Sequence, residues 1–285
     1  MEELVEKLGG SMRLLEGERM SIEITEDETA DLRLANGRCL IGRFMSERRI
    51  QKEAFRAFMA RLWKTAGKVV FKELQDNIWL IEFSSEADKR RVLEGCPWLF
   101  DRSVLILKEV EESIPPAQMD FSKSPFWIQV HDIPLIYMNK HVGLKIGESI
   151  GRVEEVDVTG EGIGWGRCLR IRVQVDITKP LERGRALELN GKMVWANFRY
   201  EKLPHLYFNC GRIFHKHSQC SDNKNPKQGT KPSPKQWGTW LRAEDMRFSQ
   251  GHSRYGWRRG EAQLIQEHPT GGKGLPEATQ GHSLS

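Results

Sequence analysis

The sequence predicts an α+β protein, and three observations carry that prediction. Phe55, Phe58, Met59, Leu62 and Trp63 recur at helical spacing, so 51–65 is an amphipathic helix. The run R-I-R-V-Q-V-D at 170–176 alternates polar with apolar residues, which marks a half-exposed strand. Between Cys39 and Lys108 the elements follow the order β-α-β-β-α-β, the split βαβ or ferredoxin-like arrangement.

Taken in order, residues 1–37 form an N-terminal extension. In it 1–16 reads as a short amphipathic helix, 20–25 alternates like a strand, and 26–36 is acidic and turn-rich. The ferredoxin-like module spans 38–110. Its strands are 39–44, 68–74, 78–83 and 103–108. The helix 51–65 ends before Gly67, and Asp76-Asn77 makes a tight turn. Ser85 with Asp88 resembles a capping box, so 86–94 is a short helix closed by Gly95. A linker, 111–124, carries Pro115-Pro116 and acidic residues. A second, strand-rich α+β unit fills 125–203. Its strands are 126–131, 153–158, 170–176, 186–189 and 193–200, its helix is 139–150, and Asn190-Gly191 signals a hairpin. The glycines at 160, 162, 164 and 166 match no phosphate-binding loop and read as a flexible hairpin loop.

Length and composition fit this division. The chain has 285 residues, about two domains with tails. Net charge is +5, and ten Lys/Arg against six Asp/Glu from Ser221 onward supply most of it. That excess permits an anionic partner without demanding one. No run of about 18 apolar residues occurs, so no membrane span is expected. The start, M-E-E-L-V-E-K-L, lacks a signal peptide's apolar centre. Five scattered Cys suit a reducing compartment. The expected location is nuclear or cytoplasmic rather than secreted. Cys39, Cys96 and Cys168 sit in or beside core elements and read as buried small hydrophobes. His131 and Asp132 adjoin, but no Ser or Cys elbow accompanies them, so no catalytic constellation forms and no enzyme is expected.

The β-α-β-β-α-β order is shared with RNA-recognition modules, whose third strand carries K/R-G-F/Y-G/A-F-V-x-F. With Phe83 at the last position, Ile78 and Leu80 stand where stacking aromatics belong. Neither stacks on a base as Phe or Tyr does. Trp79, Ile81 and Phe83 alternate with them and should face the helices. Two readings stay open: a packing module with an aliphatic sheet face, or sheet-face RNA binding.

The segment 204–220 runs P-H-L-Y-F-N-C-G-R-I-F-H-K-H-S-Q-C. Cys210, His215 and Cys220 keep the second half of a C-x2-C-x4-H-x4-C spacing, which suits a short loop closing on one tetrahedral Zn²⁺. Tyr207 stands where the first Cys belongs, and Phe214 where a glycine usually precedes the His. Water could fill the fourth place, or His205 or His217 could enter it, though neither has the spacing. A weakened or empty site is the other reading, because folding energy in so small a loop comes from the metal. The stretch resembles the retroviral-type CCHC zinc knuckle, a module that binds single-stranded nucleic acid. That resemblance implies Zn²⁺ held by Cys210, His215 and Cys220. Phe208 would then stack on a base, and Arg212 and Lys216 would contact phosphates. Phe214 either stacks too or disturbs a turn that wanted glycine.

The resemblance widens over the rest of the chain. G-C-P-W at 95–98, F-W-I-Q-V-H-D-I-P-L at 126–135, V-G-L-K-I-G-E-S-I-G at 142–151, R-I-R-V at 170–173, K-P-L at 179–181 and Y-E-K-L-P at 200–204 follow in fixed order. They resemble a plant family derived from non-LTR, LINE-type retrotransposons: a domain of unknown function followed by a CCHC knuckle. The family implies a gag-like protein that binds single-stranded nucleic acid, RNA ahead of DNA, with self-association and no enzymatic activity. The alternative is an interaction or assembly protein whose knuckle no longer binds zinc or nucleic acid. The tail, 221–285, is polar, rich in Gly and Pro, and reads as disordered and basic. In it Trp237, Trp240, Tyr255 and Trp257 lie among Lys235, Arg242, Arg254, Arg258 and Arg259, a mixture that suits single strands; a random read-through or splice remnant is the other reading.

Overall fold

Pairing the strands brings out one strand order twice. The structure, a computed structural model, describes residues 15–46, 50–75, 77–214 and 236–243. The helix predicted over 1–16 and nearly all of the tail lie outside them. The N-terminal extension differs from expectation. Ala30–Asn36 is a helix, α1, preceded by a 3-10 turn at Asp27–Thr29, where the acidic composition predicts only turns. The alternation at 20–25 makes no strand, and Met20, Ile22 and Ile24 are exposed. Alternation becomes a strand only where a neighbour pairs with it and a surface covers its apolar side.

The first module runs β1 (Cys39–Phe44), α2 (Lys52–Trp63), β2 (Val69–Gln75), β3 (Ile78–Phe83), α3 (Glu86–Glu94), β4 (Trp98–Phe100) and β5 (Ser103–Glu109). Its antiparallel sheet has the order β2-β3-β1-β5-β4. This is the predicted ferredoxin-like arrangement with β4 added at one edge. Ser85 caps α3 by accepting the Asp88 amide at 3.2 Å. The helices cover one face of the sheet. There Phe55 of α2 is fully buried, with the rings of Phe44, Trp79 and Phe71 at 4.7, 5.0 and 5.3 Å. Truncating such a ring costs about 3–5 kcal/mol. Trp79, Ile81 and Phe83 belong to this cluster, as their alternation predicts.

The opposite face of this sheet is also buried. Ile41, Ile78, Val104 and Ile106 are buried, and they share one apolar cluster with Met119 and Phe121 of the linker. Arg43 lies 5.7 Å over the Phe121 ring. Ser122 then accepts the Ile177 amide at 2.9 Å, tying the linker to the second module. Of the two readings left open by the sequence, the structure shows the packing module.

The second module runs β6 (Lys123–His131), α4 (Lys140–Glu148), β7 (Arg152–Val156), β8 (Leu169–Asp176), β9 (Gly184–Leu189) and β10 (Lys192–Tyr200). Its order is β7-β8-β6-β10-β9, so it repeats the first sheet. β6 takes the place of β1, α4 of α2, β7 and β8 of β2 and β3, and β9 and β10 of β4 and β5. One element lacks a counterpart. Where α3 lies in the first module, the second has only the loop 177–183. Leu181, Leu203, Leu206, Ile213 and Leu241 join Phe198 and Tyr200 in the cluster and supply the apolar surface a second helix would bring. The two modules also meet directly: the Lys202 ammonium donates to the Gly95 carbonyl at 2.9 Å and sits 4.8 Å over Trp98.

Candidate nucleic-acid interface

The knuckle-like segment forms a tight turn. The Gly211 amide donates to the Tyr207 carbonyl at 2.7 Å, and the Tyr207 amide donates to the Arg212 carbonyl at 3.0 Å. Gly211 has φ +72°, a conformation that favours glycine. Its carbonyl accepts the Leu181 amide at 2.7 Å, which anchors the turn to the loop 177–183. Trp237 lies against the same glycine: a Cβ there would fall 2.2 Å from the indole Cε2. The indole N–H donates to the Leu181 carbonyl at 2.8 Å, and Arg183 lies 5.4 Å over the ring. Backbone hydrogen bonds and tryptophan packing therefore hold this turn.

The predicted site residues divide. Cys210 is buried, its thiol 4.0 Å from the Tyr207 carbonyl. Phe208 is half-buried and packs against the second module's cluster. Arg212 and Phe214 are half-buried, and the Arg212 Nε is buried with no hydrogen-bond partner among the described residues. His215, Lys216 and Cys220 lie outside the described residues. The Tyr207 ring packs edge-on to His205, with centroids 5.2 Å apart.

These residues do not fit a closed zinc site. Structural Zn²⁺ takes four N or S ligands in a tetrahedron. The spacing offers three, and position 207 carries a phenol already packed on an imidazole. Among the described residues no group of three His, Cys, Asp or Glu could hold a metal ion.

The second sheet's face away from α4 shows what the sequence reading missed. On β6 and β8, Trp127 has two guanidinium groups over its ring, Arg170 at 4.3 Å and Arg172 at 6.0 Å. Both arginines are committed: Arg170 to Glu201 at 2.8 Å and to Asp157, Arg172 to Glu154 at 2.7 Å. Burial works against the Arg170 charge, and the Glu201 and Asp157 carboxylates more than offset it, so its pKa is raised. The β10 side is open instead. Met193 and Trp195 are exposed, beside a cleft of about 630 Å³ between β10 and the segment 236–241. The signal was present in the sequence: Trp195 shares its parity along β10 with Asn197 and Arg199, the solvent-facing set.

Residues 32–118 match the family described as a domain of unknown function (DUF4283), and residues 175–222 match the zinc knuckle family. The chain thus carries a DUF4283 region followed by a knuckle region. The first match takes in the whole first module, and the second begins in β8 and includes the β9–β10 hairpin as well as the turn. The uncharacterized protein At4g02000 of Arabidopsis thaliana is 23% identical over 134 residues, 47% of this chain and 42% of that relative. The chain therefore spans under half the length of the curated relative it matches. The first two RRM domains of yeast Poly(U) Binding Protein (Pub1) match 57% of this chain and 98% of theirs at 10% identity, with a TM-score of 0.20. A likeness at that score carries no argument, and the fold rests on the strand order above.

Proposed function

We propose that this chain is a non-enzymatic protein that binds single-stranded nucleic acid, RNA ahead of DNA, of the gag-like kind found in plant LINE-type retrotransposons. The observation that supports this reading is the knuckle match over 175–222, which falls on a turn built firmly onto the second module. The first sheet offers no face for bases, because Ile41, Ile78, Val104 and Ile106 are covered. Binding is therefore assigned to the second module and the chain that follows it. Arg212, Phe208 and Phe214 stand at the turn, which backbone hydrogen bonds and Trp237 packing hold. The Cys96 and Cys168 thiols are unsuited to covalent chemistry: burial pushes Cys96 up to about 12 and Cys168 up to about 11, far from a reactive thiolate.

The test is fluorescence anisotropy with labelled single-stranded RNA, single-stranded DNA and duplex, at several salt concentrations. Affinity for single strands should fall with salt, with a logarithmic slope of about −0.7 per phosphate neutralised. No measurable affinity at about 50 mM salt overturns the reading. A second reading, an assembly protein, is favoured by one observation: Leu15, Met20, Ile22, Ile24 and Leu32 are all exposed in the N-terminal extension. A defined oligomer in light scattering, with no strand affinity, supports that reading instead.

A further inference from the structure

The cleft beside β10 is walled by two tryptophans held in place from behind. Trp195 and Trp240 are 50% and 56% exposed, large values for so apolar a side chain. Each lies on a glycine. A Cβ at Gly184 would fall 2.7 Å from the Trp195 indole, and one at Gly238 would fall 2.0 Å from the Trp240 ring. The glycines let each ring pack on backbone while its remaining surface stays in solvent. Trp195 is also oriented by a polar relay. Its indole N–H donates to Asn197 Oδ1 at 3.0 Å, and the Asn197 amide donates to Asp132 Oδ2 at 2.6 Å. Arg183 and Arg199 line the same cleft, and Asp132, the one acidic lining residue among the described residues, is engaged with Asn197.

We propose that this cleft is a binding site for single-stranded nucleic acid, with bases stacking on Trp195 and Trp240 and phosphates meeting Arg183 and Arg199. The inference rests on the nucleic-acid reading above and gives it a location apart from the knuckle turn. The charge points to an anionic ligand. The flat, fixed, half-exposed rings point to one with π-faces, and a single strand supplies both at repeating intervals. Stacking is indifferent to base identity and to the sugar, so this cleft takes RNA and DNA alike, and the chain's preference for RNA is assigned to the knuckle turn instead. A cleft of this kind also needs little reorganisation on binding, because Asn197 and the two glycines fix the rings beforehand.

The experiment uses the full chain with labelled oligouridine and oligothymidine of about 12 nucleotides, within the usual length of a single-strand groove. Trp195→Ala and Trp240→Ala should each weaken binding about 5- to 100-fold. Arg199→Gln should weaken it less and flatten the salt slope by about 0.7. Thermal unfolding of each variant checks that the fold is kept, and Trp195→Phe and Trp240→Phe should restore part of the affinity. Should an Ala variant fail to fold, photo-crosslinking of a 4-thiouridine oligomer to the parent chain decides, with crosslinks expected on the peptides that carry Trp195 and Trp240. Crosslinks elsewhere overturn the proposal. So do folded tryptophan variants that bind like the parent, while the nucleic-acid reading itself survives. A parent chain with no affinity for either oligomer removes both. Loss of a concentration-dependent dimer in these variants, with strand affinity unchanged, makes the cleft a protein contact and also overturns it.

Discussion

Replacing Trp237 with Ala tests whether packing rather than metal holds the knuckle turn. The indole is half-buried against Gly211, so about half the 3–5 kcal/mol of a buried aromatic truncation, roughly 2 kcal/mol, is lost with it. Its hydrogen bond to the Leu181 carbonyl adds about 1 kcal/mol, since that acceptor loses its partner. The Arg183 contact at 5.4 Å adds about 0.5 kcal/mol. Trp237→Ala should therefore destabilise the chain by about 3–4 kcal/mol, within the range of large single-site effects. Urea unfolding followed by circular dichroism reads this as a lower midpoint. The same titration with EDTA should leave parent and variant unchanged. An EDTA-induced loss of more than about 1 kcal/mol in the parent, with Trp237→Ala near neutral, would mean that a metal holds the turn and would refute the reasoning.

Three further outcomes are expected. Tyr207→Cys keeps the backbone bonds of the turn and supplies the missing thiolate; zinc content after desalting should rise from none in the parent to about one per chain. No gain would place the fault in Phe214 or the rest of the loop. Burial alone would raise the Asp88 pKa, but the Ala66 and Gly67 amides and the Arg91 guanidinium hold it below the ordinary 3.8. A depressed folded pKa means that this stabilisation is complete above the unfolded value and is lost as pH falls through the folded one. Asp88→Asn should thus cost about 1–3 kcal/mol at neutral pH and flatten the acid limb of a stability profile; equal acid limbs would count against it. Cys39, Cys96 and Cys168 are buried with raised pKa values, so native-state alkylation at mildly alkaline pH should spare all three; labelling of their peptides, read by mass spectrometry, would contradict the packing.

The elements with strong local signals were legible. The helix at 52–63 follows from its apolar spacing, α3 from Ser85, and the β9–β10 turn from Asn190-Gly191, whose φ values are +50° and +75°. What escaped depends on distant partners. β4 is only three residues long and exists because β5 pairs with it. Lys123 and Ser124 read as linker, yet β6 begins at Lys123 and takes in Pro125 as well. Pro125 is tolerated because β6 pairs only with β8 at that point, β10 joining from Ile128 onward, so no second ladder needs the missing N–H. The repeated strand order is equally silent in the residues, since pairing across dozens of positions sets it. At the site, the spacing around Cys210 marked the turn, whereas the Trp237 anchor joins Leu181 across 56 positions. Trp240 was visible as one of the tail aromatics set among cations, but only its place beside Trp195 makes a cleft of it.

The repeat explains how the turn can stand with an incomplete ligand set. A short metal loop ordinarily draws its folding energy from the ion, so losing a thiolate should unfold it. Here the second module has an apolar face that α3 covers in the first and that nothing in 177–183 can cover by itself. Leu206 and Ile213, on either side of the turn, are buried in that cluster, and Trp237 and Leu241 complete the cover from further along the chain. Burying side chains of that kind contributes about 1.5–3 kcal/mol each, enough together to order a turn that also has its own hydrogen bonds. Tyr207 can then stand in the first ligand's place without loss of the local fold. The same docking brings 236–241 alongside β10, so the contacts that replace the metal also shape the cleft between Trp195 and Trp240. Strand binding at that cleft should consequently be insensitive to chelators but sensitive to Trp237, although Trp237 itself is not among the residues that line it.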